Sequence, residues 1–261
     1  MIMRRLAQSL REQNWTAITI EFVLLVLGVF LGIQVANWNE DRLEAHRAHG
    51  FLERLAGDLE RERASIDKRL EYIGQSIAYG EVALTWIEDG TLADGSAWKT
   101  VMAYYNASRI LPYSPINTTY QEMRSAGQLG LIRDADLRTS LTEYFDNSSH
   151  ARADYILALN PEYRSHVRGL TPFRIARYIS SECFDANAVA HKRCQPPIDE
   201  VAAGAILRNY AEAPELKIEL AFWIDSAHLM VALMRAQREK CVELKRRIDA
   251  ELGKPREENA P

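Results

Sequence analysis

The chain has 261 residues, 32 Lys plus Arg against 36 Asp plus Glu, and a formal net charge of −4. That length allows one or two domains with a sizeable core. The basic residues are dispersed among acids, with no basic stripe interleaved with aromatics, so a nucleic-acid binder is excluded as the leading class. Glycine and proline are sparse and helix formers are common, which favours an all-α chain.

Taken in chain order, residues 1–16 form a short head carrying Arg4, Arg5 and Arg11. Phe22 to Ile33 follows without a polar side chain. Extended to residues 17–38, the run holds about twenty positions, enough at 1.5 Å rise to cross a hydrocarbon core of about 30 Å. Trp15 and Trp38 bracket it, where interfacial aromatics belong. A cleaved signal peptide needs small residues at −3 and −1, and a cut after Ala36 puts Gln34 at −3. The expectation is therefore an uncleaved single-pass anchor, with a cleaved signal and a buried soluble helix as rivals. The positive-inside bias is weak, because Arg42 and Arg47 follow the run. A short basic head before a long domain still gives the expectation of a cytoplasmic N-terminus and an exported C-terminal part.

Three residues in the span draw functional readings. Glu21 is an acid within the apolar run, and such residues are functional hypotheses by default. It lies about one turn inside the edge, so snorkelling or a helix-to-helix hydrogen bond is the plainer reading and ion coupling the sharper one. Gly28 and Gly32 form GxxxG, which lets two helix backbones approach closely. Glu21 sits two turns from Gly28, near the same face. These residues imply a membrane helix partner or a homo-oligomer, besides the lipid bilayer itself.

Beyond the span, residues 39–253 read as helical almost throughout. Leu52, Leu55, Leu59, Ile66, Ile73, Ile77, Leu84 and Ile87 step by three, four and seven, with Glu62 and Gly80 interrupting. The anchor helix is expected to continue to about Glu88. A shorter helix is expected from Ser96 to about Ile110, then a loop at "LPYSPIN", where two prolines prevent helix. Thr119 to Glu122 fits a capping box, Gly127 a helix C-cap and Asp134 the next N-cap. Leu137, Leu141, Tyr144 and Phe145 give that next helix an apolar face, and it is expected to run past Ile156 and Leu159 to a kink at Pro161. Residues 171–197 look irregular. Ile198 to about Ala211 is a modest helix, and Pro214 starts another. Leu216, Leu220, Trp223, Ala227, Met230, Met234, Gln237, Cys241, Leu244 and Ile248 then keep 3–4 spacing over about five heptads, with only Gln237 polar. Residues 254–261 read as a disordered tail. Two long amphipathic helices need partners. The economical arrangement packs them together in an elongated antiparallel bundle, and a parallel coiled coil between protomers is the alternative.

The chain has three cysteines. Cys183 and Cys194 close a short loop that reads as a local disulfide in an oxidising compartment. A zinc site using His191, or two unrelated thiols, are the rivals. Cys241 falls on the late apolar seam. His46, His49 and Glu53 share one helix face, a pattern that is usually solvated and only rarely binds metal. No Walker loop, GxSxG, HExxH or paired CxxC is present, so neither an enzyme nor a cofactor is expected.

"GVFLGIQVANWNE" resembles the anchor signature of a family of uncharacterised bacterial single-pass membrane proteins. In that family a similar run ends in an Asn-Asn-Trp-Asn-Glu-like cluster; here Ala36 precedes Asn37, Trp38, Asn39 and Glu40. Residues 119–145 resemble its second signature through Thr119, Tyr120, Ser125, Gly127, Leu129, Leu131, Ile132, Leu137, Arg138, Tyr144 and Phe145, with Ala126 in place of a usual Ser. An acid near Glu21 is also common there. The resemblance implies a membrane-anchored helical protein and no activity. The block itself reads as a structural turn, with Asp134 one turn from Arg138 as a candidate carboxylate partner, or else as a partner-recognition surface. Three functions are thus in view: a membrane-anchored helical interaction or scaffold protein, a ligand-sensing ectodomain that signals through a partner, and an ion-coupled accessory subunit built on Glu21.

Overall fold

The computed structural model describes residues 15–111, 115–146, 161–185 and 190–253, with side chains from residue 20 onward. The expected tail, most of the head and the expected continuation through Ile156 and Leu159 lie outside the described residues. The protein is all-α, and among the described residues the only strands are one pair of two residues each. It divides into two compact units, Met1–Phe51 and Leu52–Pro261.

Helix α1 runs Trp15–Asp89. Within the second unit its face of Leu55, Leu59 and Ile66 is fully buried, and Ile73, Ile77 and Ala83 continue that face. Helix α8, Pro214–Glu251, lies antiparallel to this stretch. The pairing reads directly from side chains: Glu88 with Lys217, Glu81 with His228, Asp67 with Arg238, and Leu59 carbonyl with Cys241 Sγ. Every member of the α8 apolar series from Leu216 to Ile248 is buried, Gln237 included. The two seams therefore fill each other within one chain.

The two interruptions in the α1 pattern have structural reasons. At Gly80 the Ile224 side chain of α8 packs against the bare backbone, and a methyl group there would overlap its Cγ1 and Cδ1. Glu62 is fully buried, and its Oε2 accepts the Ile116 backbone N–H at 2.9 Å.

Helix α2, Ala97–Ala107, is buried on nearly every side and packs on helix α7, Glu200–Ala211, and on helix α5, Glu162–Leu170. A helix that is apolar all round belongs in a core. Ser96 is its N-cap, and Glu200 reinforces that end by accepting from Ala97 N at 2.5 Å, Trp98 N at 3.3 Å and Ser96 Oγ at 2.7 Å. Those bonds hold the Glu200 carboxyl below its ordinary pKa. Tyr104, Tyr163 and Tyr210 form the centre of this core, with the Tyr163 hydroxyl donating to the Tyr104 carbonyl at 2.7 Å. Trp223 Nε1 donates to the Ala107 carbonyl at 2.8 Å and so ties α8 to the end of α2.

Helices α3, Thr118–Ser125, and α4, Ala135–Asp146, form a hairpin. Three expectations need correction. Thr119 lies inside α3 and makes no capping box, because Asn117 is the boundary residue and the Thr119 N–H goes to Asp58 of α1. Pro161 does not kink a helix; it is the N-cap of α5, where its missing N–H costs nothing. Residues 171–197 are not irregular throughout, since Phe173–Glu182 is helix α6, which buries Ile175 and Ile179 and starts just after Pro172. Strands β1, Phe184–Asp185, and β2, Ala190–His191, follow as an antiparallel pair with Phe184 opposite His191.

Candidate functional site

The block 118–146 is held by charges from both long helices. Asp58 Oδ2 accepts the Thr119 N–H at 2.8 Å, while its other oxygen meets Arg61. Arg54 makes a forked pair with Glu122 at 2.7 and 3.1 Å. From α8, Arg247 reaches Ser140 Oγ at 2.9 Å and Asp134 Oδ2 at 3.2 Å. The Thr119 amide in the first turn of α3 is thus satisfied by a carboxylate from another helix, which does work usually done by a local cap, and Glu62 of α1 does the same for the Ile116 amide just before the helix.

Within the block, Tyr120 is fully buried and stacks on Phe145 at 4.8 Å. Its hydroxyl donates to Asp146 Oδ2 at 2.8 Å, and Arg124 pairs with the other Asp146 oxygen at 2.7 Å. Tyr144 is buried and meets Phe145 edge-on at 4.9 Å. Gly127 has φ of +66°, a conformation that glycine adopts freely. Its N–H bonds the Arg124 carbonyl and the Gln128 N–H bonds the Met123 carbonyl, the paired bonds of a Schellman turn. Ser125 is the last residue of α3, and Leu129 sits half-buried in a short 3₁₀ turn, Leu129–Leu131. Asp134 caps α4 by accepting from Asp136 N at 2.8 Å and Leu137 N at 3.0 Å. Its carboxylate does not pair with Arg138, contrary to expectation. The Arg138 guanidinium donates to the Ile132 carbonyl and, at 3.2 Å, to the Arg133 carbonyl. It therefore closes the turn through backbone groups and leaves Asp134 to Arg247.

Glu21, Gly28 and Gly32 belong to the first unit, and the block and the cysteines to the second. All three lie exposed on α1, and among the described residues nothing stands within 4 Å of where a Gly28 or Gly32 side chain would point. Phe22, Leu25, Val35 and Trp38 are 65%, 65%, 63% and 64% exposed. The Arg42 guanidinium stands 6.0 Å from the Trp38 ring.

Cys183 and Cys194 are joined by a disulfide with Cα atoms 5.1 Å apart. The bridge closes the hairpin that carries Phe184 and His191. The His191 ring is packed among Tyr72, Tyr79 and Phe184, at centroid distances of 6.1, 4.9 and 5.8 Å. Burial, and then the charge of Arg109, lower its pKa to about 4. Among the described residues neither ring nitrogen has a hydrogen-bond partner, and no set of three His, Cys, Asp or Glu side chains could hold a metal. His46 and His49 belong to no such set.

A protein-family model matches residues 21–165, more than half of the chain, and spans both α1 and the α3–α4 block. The chain belongs to a family of unknown function (DUF6090). No curated protein and no solved structure matches it. The DUF6090 match takes in Asp58, Glu62 and Thr119 together, so the matched segment contains both sides of the cross-helix cap.

Sequence reasoning passed over one cluster. Arg109, Arg164 and Arg168 border a single open cleft with Tyr72 and Phe184. The signal was Arg164 and Arg168, like charges four apart on a short helix whose buried residues are Tyr163 and Val167. Such a pair is unfavourable on its own helix and calls for an outside reason.

Proposed function

We propose that this DUF6090 chain is a membrane-tethered helical protein that acts by binding other proteins, as a scaffold or interaction module, without catalysing a reaction. Residues 17–38 are the single span, the head is cytoplasmic, and residues 39–253 form the periplasmic domain. The observation that carries the reading is the exposed apolar run. An 18-residue window of α1 has a mean hydropathy of 2.1 with none of it buried. Each large apolar side chain there gains about 1.5–3 kcal/mol on leaving water, and the described residues offer the run no cover. The Cys183–Cys194 bridge supports an oxidising compartment for the second unit. Gly28 and Gly32 supply the surface for a second copy or another membrane helix.

Crosslinking in native membranes tests this reading. It is expected to trap oligomers or one stable partner, and Gly28→Ile with Gly32→Ile is expected to abolish capture while the chain still inserts. A chain that stays monomeric, captures nothing and turns over a substrate contradicts it.

A further inference from the structure

The turn that follows α2 is ringed by guanidinium groups. Arg164 donates to the Ser108 carbonyl at 2.9 Å, Arg168 Nε to Ser108 Oγ at 3.1 Å, and Arg109 Nε to Asn106 Oδ1 at 2.9 Å. Arg109 is only 8% exposed, and its guanidinium lies 4.0 Å above the Phe184 ring. Arg168 stands 4.9 Å from the Tyr105 ring. The three arginines line a cleft of about 220 Å³ together with Tyr72 and Phe184.

The plain explanation is that these cations satisfy the end of α2. It accounts for part of the arrangement. A helix C-terminus carries roughly half a negative charge, so three guanidiniums leave an excess on the order of two positive charges. Each guanidinium also has five N–H donors, and Arg164 and Arg168 each spend one on these bonds. Among the described residues no carboxylate forms an ion pair with Arg109, Arg164 or Arg168. Burial depresses the pKa of Arg109 and Arg164, and the charge of Arg168 depresses both further. Buried cations are ordinarily paired. A cluster held together against its own repulsion, at the wall of a cleft, is built to meet an anion.

We propose that this cleft binds a phosphoryl group, carried by a small phosphorylated compound. Forks arriving from α5 and from the turn after α2 fit a tetrahedral group with three acceptor oxygens and a charge near −2, whereas a single carboxylate is planar, carries one charge and is satisfied by one fork. The cleft has room beyond the phosphoryl group for a small organic body against Tyr72 and Phe184. Nothing in this inference depends on the membrane reading, because every residue involved lies in the second unit.

The test is calorimetric titration of inorganic phosphate into the full chain in nanodiscs of phosphatidylcholine, with acetate as the planar, singly charged comparator. Phosphate is expected to bind and to raise Tm, with acetate at least tenfold weaker. Arg164→Gln is expected to weaken phosphate binding at least tenfold. Arg168→Lys, which keeps the charge and loses the fork, is expected to weaken it several-fold and guards against a Gln variant that fails to fold. Adding phosphatidic acid to the nanodiscs separates two sources of the same group: competition with phosphate assigns it to a lipid headgroup, and the lack of competition to a soluble compound. No binding of phosphate by the wild-type chain up to about 10 mM, or equal binding by folded wild-type and variant chains, overturns the proposal.

Discussion

Asp58 and Thr119 are joined across 61 residues of sequence, carboxylate to backbone N–H, at 2.8 Å. This bond opens α3 from outside and fixes the α3–α4 hairpin on α1. Losing a capping acceptor costs about 1–2 kcal/mol, and stranding a buried amide adds to that. Asp58→Ala is therefore expected to lower stability by about 2 kcal/mol in urea unfolding. Thr119→Val keeps the amide and is expected to lose much less. Equal losses for the two variants would place the hairpin's anchorage elsewhere.

Gly80 and Ile224 make a second sharp test. Alanine in a helix interior ordinarily gains about 1 kcal/mol over glycine. Here the added methyl meets Ile224, and overpacking typically costs about 1–3 kcal/mol. Gly80→Ala is expected to be net destabilising, and the loss is expected to vanish or reverse in an Ile224→Ala background. A double-mutant cycle reads the coupling directly.

These two pairs show what could be read in advance. The α8 seam was legible because burial follows the 3–4 step without exception from Leu216 to Ile248. Glu62 and Gly80 registered only as interruptions, because the partners that explain them, Ile116 and Ile224, lie far along the chain. The capping-box reading of Thr119 failed for the same reason: the local pattern was present, but Asp58 had already taken the amide. Helix α6 was hidden by the proline before it and the cysteine after it. The arginine cleft joins positions 109, 164 and 168, and no local spacing can join the turn after α2 to α5.

His191 gives the pH dependence a defined sign. Its folded pKa is lowered from 6.5 to about 4, mainly by burial. Between those values the unfolded chain binds the proton and the folded one does not. Its contribution is thus fully present above about pH 6.5 and is lost as pH falls toward 4. The shift corresponds to about 3 kcal/mol, reduced to about 1–2 kcal/mol once solvent screening of a partly exposed ring is allowed for. Unfolding at pH 7 and pH 5 should show that slope in the wild type and a flatter one in His191→Phe. Parallel slopes would remove His191 as the cause.

The Cys183–Cys194 bridge closes a short loop, which in the chain-entropy model is worth about 3 kcal/mol. Cys183→Ser with Cys194→Ser is expected to lower stability by about that amount. Cys241 is a separate probe, since it is buried and its thiol is pushed up to about 11, mainly by burial. It should resist alkylation in the native protein and react on unfolding, so labelling kinetics report opening of the α1–α8 seam. Rapid labelling of the native chain would mean that the seam opens far more readily than its packing implies.

Alkaline carbonate extraction of membranes from cells expressing the full chain tests the central claim most directly. An integral span in residues 17–38 predicts that the chain stays in the membrane pellet at high pH and that a chain lacking those residues is released. Release of the intact chain into the supernatant would contradict the membrane-tethered account.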